Sequence, residues 1–192
     1  MIKRKQSSIV QGIAAVLIVG GIAVAWMSVS QPQTEQAAPA MPMAGNDMAN
    51  AMAPDFALPD LEAKTVKLSD FDGQVRIVDF WATWCPPCRR EMPSMERLYR
   101  AYLDDGFVVV AVSIDRAPTG KVEAFVKKLE LSFPVLHDRD ERVARLYGIP
   151  GVPASYVIGA RGRIAYRAAG EYDWFRPAAR SAVEGLLRAG RD

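Results

Sequence analysis

The chain has 192 residues, 50% of them hydrophobic and 24% charged, with a formal net charge of +2. That length holds one domain of ordinary size plus appendages. Lys3, Arg4 and Lys5 carry +3 and Glu35 and Asp47 carry −2, so residues 54–192 hold a net charge of +1, close to neutral. A near-neutral domain excludes the electrostatic footprint of a nucleic-acid binder.

Residues 1–8 form a basic N-terminus. Segment 9–29 contains no charged residue. As a helix it would extend roughly 30 Å, enough to cross a bilayer core. The basic cluster precedes it, and no Lys or Arg follows until Lys64. The positive-inside rule then puts the N-terminus in the cytoplasm and everything after the span outside. Segment 9–29 is expected to be a retained transmembrane signal anchor. The rival reading is a cleaved signal peptide, because Ala38-Pro39-Ala40 resembles a small-residue cleavage site beyond the apolar run.

Residues 30–53 are rich in Ala, Pro, Gln and Met without periodicity, and read as a flexible tether. Met41, Met43, Met48 and Met52 leave open a thioether site for Cu(I), against simple compositional bias in a linker. The folded domain is expected over 54–192. Residues 55–58 and 64–67 read as short strands, and 68–73 as a turn-rich connection. Residues 75–81 form an apolar run broken by Arg76 and Asp79, the pattern of a strand buried on both faces. A helix is expected from about Pro86 to Leu103, with Met92, Met95, Tyr99 and Tyr102 on one face and a kink at Pro93.

Residues 107–114 read as a second buried strand. Val122, Phe125, Val126 and Leu129 mark an amphipathic helix. Residues 133–136 read as a short strand, and 139–147 as a short helix ended by Gly148. Residues 155–158 and 163–167 flank a Gly159-Ala160-Arg161-Gly162 turn, a hairpin signal. Ala179, Ala182, Val183, Leu186 and Leu187 define a C-terminal helix. This alternation predicts an α/β fold with a central mixed β-sheet flanked by helices.

The only two cysteines, Cys85 and Cys88, lie in Trp84-Cys85-Pro86-Pro87-Cys88, where the apolar strand gives way to the helix. Two intervening residues let both sulfurs share one turn. A thiol at a helix N-terminus has its anion stabilised by unpaired amides and the macrodipole. Cys85 is therefore expected to be the exposed nucleophile, and Cys88 the buried thiol that resolves the mixed disulfide. Pro86 and Pro87 suit the first helical positions, where the missing N–H costs nothing. Two other readings stand beside this one. A structural bridge over so short a loop contributes little entropy. A zinc site needs about four ligands, and His137 is the only other soft candidate.

With Gly151-Val152-Pro153 downstream, the run Phe80-Trp81-Ala82-Thr83-Trp84-Cys85-Pro86-Pro87-Cys88 resembles the thioredoxin superfamily, in particular its membrane-anchored TlpA/ResA/CcmG-like branch. The resemblance covers about Pro54 to the C-terminus. It implies a thioredoxin-like fold with an N-terminal β-hairpin extension and a central strand-and-helix insert. It implies that Pro153 is the family's cis-proline against the dithiol, with Val152 pairing to an extended substrate segment. It places Trp84, Pro86 and Pro87 at the substrate surface.

Asp79, six residues before Cys85, matches the buried acid of thioredoxins and is expected to take the proton of Cys88. The bland alternative is a strand-end aspartate bonded to backbone. Glu91, three after Cys88, matches an acid held near the dithiol in ResA-like proteins, and the alternative is a solvated helix position. Trp81 reads as core, Arg89 and Arg90 as a solvated face, and His137 as a loop residue.

The expected activity is that of a periplasmic thiol–disulfide oxidoreductase, single-pass in the bacterial inner membrane. It would reduce disulfides of exported proteins, such as apocytochrome c or copper-site proteins. It needs no cofactor beyond the Cys85–Cys88 redox pair and no metal. The resemblance implies a membrane thiol-electron donor of DsbD/CcdA type. The alternatives are a disulfide-forming oxidant, a non-enzymatic copper chaperone and a peroxidase, the last requiring a differently built cysteine loop.

Overall fold

The computed structural model describes residues 50–191. The expected anchor at 9–29, Met41, Met43 and Met48 lie outside them. Among the described residues no helix is long and apolar enough to cross a membrane.

Strand β1 (Ala57–Pro59) and strand β2 (Thr65–Lys67) pair antiparallel as a small separate hairpin. A 3-10 turn at Leu68–Phe71 leads to β3 (Val75–Trp81). Helix α1 (Pro86–Tyr102) follows, then β4 (Phe107–Ser113), α2 (Thr119–Lys128), β5 (Val135–His137) and α3 (Arg142–Leu146). Strands β6 (Ala154–Ile158) and β7 (Ile164–Ala169) and helix α4 (Pro177–Ala189) complete the domain. The main sheet has the order β5-β4-β3-β6-β7. β3 runs parallel to β4 and antiparallel to β6, so the sheet is mixed and β3 is its centre.

Every residue of β3 is buried, Arg76 and Asp79 included. The period-2 pleat divides its side chains between two cores. Val75, Ile77 and Trp81 join Met92, Met95 and Leu98 of α1, Val122 of α2 and Val183 of α4 on one face. Val78 and Phe80 join Val143 of α3, Tyr147 and Tyr156 on the other. Asp79, in step with Ile77 and Trp81, is thereby on the α1 face. Ser155 faces Asp79 across the β3–β6 ladder and falls on the same side as Val157.

Helix α1 continues through Pro93 to Tyr102. Its buried apolar residues are Met92, Met95, Leu98 and Tyr102. Tyr99, expected on that face, is only half-buried, while Leu98 is fully enclosed. His137 closes β5 rather than sitting in a loop. Residues 50–53, which composition assigns to the tether, run along the end of β7. Asn50 N–H donates to the Ile164 carbonyl at 2.8 Å, and Ile164 N–H donates to the Ala51 carbonyl at 2.9 Å. An edge strand offers unpaired backbone groups, and this segment satisfies some of them.

Candidate active site

β3 delivers the chain to a tight loop, and the loop delivers it to the N-terminus of α1. Cys85 is the N-cap of α1, with extended backbone, and Pro86 and Pro87 open the helix. The Cys88 N–H donates to Cys85 Sγ at 3.3 Å. The two cysteines form a disulfide. The helix start therefore aims a backbone donor at the sulfur that would carry negative charge in the dithiol form.

The loop before Cys85 is anchored from outside. Asp115, 1% exposed, accepts the Thr83 N–H at 2.8 Å and the Thr83 hydroxyl at 2.7 Å. The Ser113 hydroxyl also donates to it, at 2.9 Å. His137 donates from Nε2 to the Asp115 carbonyl at 2.6 Å, and its Nδ1 lies 3.1 Å from Thr119 Oγ1. Both ring nitrogens are occupied, so His137 braces the β4–α2 turn and is not aimed at the sulfurs. Among the described residues no group of three or more His, Cys, Asp or Glu is clustered as a metal site.

The expected exposure of Cys85 is not found. Cys85 is 3% exposed and Cys88 0%. The order is as expected; the amount is not. In the disulfide the Cys85 sulfur turns inward to its partner and lies 3.7 Å from the Val152 carbonyl oxygen. Exposure therefore lends no support to a nucleophilic role for Cys85. The helix-start geometry does.

The Val152–Pro153 peptide is cis. Pro153 is buried, Val152 half-buried and Gly151 exposed. The Gly170 N–H, from just beyond β7, donates to the Pro153 carbonyl at 2.9 Å. Trp84 stands beside the disulfide at 64% exposure, Pro86 is exposed and Pro87 half-exposed. The surface around the sulfurs thus presents an aromatic ring, two prolines and a backbone carbonyl.

Two carboxyls lie beneath it. Asp79 is fully buried, accepts from the Ser155 hydroxyl through Oδ1 at 2.6 Å, and has no partner for Oδ2. Burial drives its pKa well up from the ordinary carboxylate range, and the Ser155 hydrogen bond opposes that rise. Glu91 is also buried, which removes the solvated-position alternative. Its Oε2 accepts the Tyr172 N–H at 3.1 Å and its Oε1 has no partner. Burial raises its pKa, and the charge of Asp79 raises it further. The strand-end alternative for Asp79 does not hold either: it is mid-sheet, and its partner is a side chain.

Arg89 and Arg90 are exposed as expected. Arg90 pairs with Glu171, and Arg89 lies over the Phe125 ring at 5.8 Å. Trp81 is core, packed on Phe125 at 5.2 Å between centroids. Sequence reasoning missed Ser155, Asp115 and the backbone of Tyr172. Each meets its partner across 32 to 81 residues of chain. Only the pairing of β6 with β3 reveals Ser155, and no local pattern marks the other two.

Residues 49–167 match the model of the AhpC/TSA family. A thiol-disulfide oxidoreductase ResA of Geobacillus thermodenitrificans is 39% identical over 58% of this chain and 64% of its own length. A second, from Bacillus thuringiensis subsp. konkukian, is 38% identical over 62% of this chain and 68% of its own. The chain thus covers just under two thirds of the first and just over two thirds of the second. Among solved structures, a thiol:disulfide interchange protein of the thioredoxin family from Chlorobium tepidum superposes with a TM-score of 0.64. It is 27% identical, over 73% of this chain and 99% of that one.

Proposed function

We propose a function from the premise that this chain belongs to the AhpC/TSA family: it is a thiol–disulfide oxidoreductase acting through Cys85 and Cys88. The observation that carries this is Cys85 at the N-cap of α1, receiving the Cys88 N–H and bonded to Cys88. The naming of its relatives as thiol-disulfide oxidoreductases agrees with it.

In the reductive direction the Cys85 thiolate attacks one sulfur of a substrate disulfide. The substrate S–S bond breaks, its second sulfur leaves as a thiolate, and a mixed disulfide to Cys85 forms. Cys88 then loses its proton to a buried carboxylate and attacks Cys85 Sγ. The Cys85–Cys88 bond forms and the first substrate sulfur departs. Two electrons pass from the dithiol to the substrate. Asp79, buried on the α1 face of β3, is the carboxylate assigned to that proton in this reading. The half-buried Val152 and the exposed Trp84 offer the docking surface for an extended substrate segment.

The finer reading adds place and partners. The apolar segment 9–29 and the basic residues before it support a single-pass anchor with this domain in the periplasm. Disulfide-bearing exported proteins are then the substrates, and a membrane thiol donor of DsbD/CcdA type recycles the dithiol. The deciding experiment is insulin reduction with trapping in cells. Cys85→Ser should abolish reduction, and Cys88→Ser should accumulate mixed disulfides through Cys85, whose partners mass spectrometry identifies. Full insulin reduction by Cys85→Ser would contradict the assignment.

A further inference from the structure

Ser155 stands directly opposite Asp79 in the β3–β6 ladder, is 2% exposed, and lies two residues after Pro153. Among the described residues its hydroxyl bonds to one partner, Asp79 Oδ1 at 2.6 Å. That bond occupies one carboxylate oxygen and leaves Oδ2 enclosed and unpartnered. A buried acceptor without a partner is costly unless it is used.

We propose that Ser155 is a positioning residue of the exchange reaction: its hydroxyl holds Asp79 by Oδ1 and so assigns Oδ2 as the oxygen that receives the Cys88 proton. This rests on the thiol–disulfide reading above. The step balances simply. The Cys88 Sγ–H bond breaks and its proton goes to Asp79 Oδ2. The Cys88 sulfur forms a bond to Cys85 Sγ, and the electron pair of the mixed-disulfide bond leaves with the substrate thiolate.

A hydrogen bond to the ionised form also keeps Asp79 a carboxylate at lower pH than burial alone would allow. The groups facing Asp79 are few. Glu91 on α1 is near enough for the Asp79 charge to act on it, and Ser155 meets Asp79 from β6. On the other flank of β3 its register partner is Ala111, which has no charge. Among the described residues Ser155 is therefore the neighbour whose hydrogen bond favours the carboxylate, while burial opposes it. Because β6 begins directly after Pro153, the Val152 segment that would pair with substrate leads into the strand that sets the state of the proton acceptor.

The test is stopped-flow reaction of the reduced protein with 5,5′-dithiobis(2-nitrobenzoate). The first thionitrobenzoate release reports attack by Cys85, and the second reports resolution by Cys88. Ser155→Ala should leave the first phase unchanged. It should move the pH midpoint of the second upward by about one unit, and slow it about tenfold below that midpoint, since one pKa unit is a tenfold change. Ser155→Thr should keep the wild-type profile. Ser155→Val has the shape of the Thr variant without the hydroxyl, should behave as Ser155→Ala, and serves if Ser155→Ala does not fold. In an Asp79→Asn background Ser155→Ala should add nothing.

A lowered melting temperature with an unchanged second-phase midpoint in both hydroxyl-less variants would reduce Ser155 to a structural role. An equal shift in the Asp79→Asn background would show that it acts elsewhere. Absence of a Cys85-dependent first phase in the wild type would instead sink the exchange activity itself.

Discussion

Asp79 on β3 and Glu91 on α1 are both buried, and a negative charge on Asp79 raises the proton affinity of Glu91. Each has one bonded and one unpartnered oxygen. Two like charges in one low-dielectric interior do not ionise independently, so the pair titrates as a unit.

That relationship has a sign. Both folded-state pKa values are raised above their unfolded values, so the folded protein holds protons that the unfolded chain releases. The contribution of these two groups to stability is most favourable below the ordinary carboxylate range. It declines as pH rises through that range and levels off above the raised folded values. Urea unfolding of the oxidised protein between pH 5 and pH 9 should show this decline in wild type, on the order of a few kcal/mol. Asp79→Asn with Glu91→Gln should flatten it. A slope identical in wild type and double variant would refute the coupling.

Trp84 is 64% exposed, so little of its ring is buried in the domain. Trp84→Ala should change the unfolding free energy by no more than a surface substitution does, about 0.5 kcal/mol or less. KM for a protein disulfide substrate should rise severalfold with little change toward a small disulfide. Equal losses on both substrates would place Trp84 in the chemistry instead of docking.

Asp115 holds Thr83 through two hydrogen bonds, two residues before Cys85. Asp115→Ala leaves a buried donor unpaired, at roughly 1–3 kcal/mol. The melting temperature should fall, and the rate of Cys85 alkylation in the reduced protein should change, because the loop that sets the helix start is released. An unaltered alkylation rate with reduced stability would confine Asp115 to folding.

Trp81 fills the face of β3 that packs on α1 and α2 and is completely enclosed. Trp81→Ala should cost about 3–5 kcal/mol in denaturant unfolding. A loss under 1 kcal/mol would mean that the neighbours collapse into the space.

Much of this molecule is legible in the order of its residues. The largely apolar runs at β3 and β4, the periodicity of α1 and α4, and the glycines between β6 and β7 are local signals, and each predicted an element at close to its observed place. The spacing of Cys85 and Cys88 at a strand-to-helix junction placed the dithiol for the same reason: one turn of helix is a local object. Boundaries in short elements moved, as at β5 and α3, where few residues carry the pattern and long-range pairing sets the ends.

Four features could not be read that way. Cys85 proved nearly enclosed, its sulfur 3.7 Å from the carbonyl oxygen of Val152, 67 residues away. Glu91 proved buried because the chain at Tyr172 crosses α1. Asp79 proved to have Ser155 as partner, and Thr83 to hang from Asp115. Linear order settles which groups can react, because side-chain chemistry and helix starts are properties of a few neighbouring residues. How far each group is cut off from water, and which proton each acid keeps, follow from desolvation and from hydrogen bonds between distant strands, and these exist only once the sheet has closed.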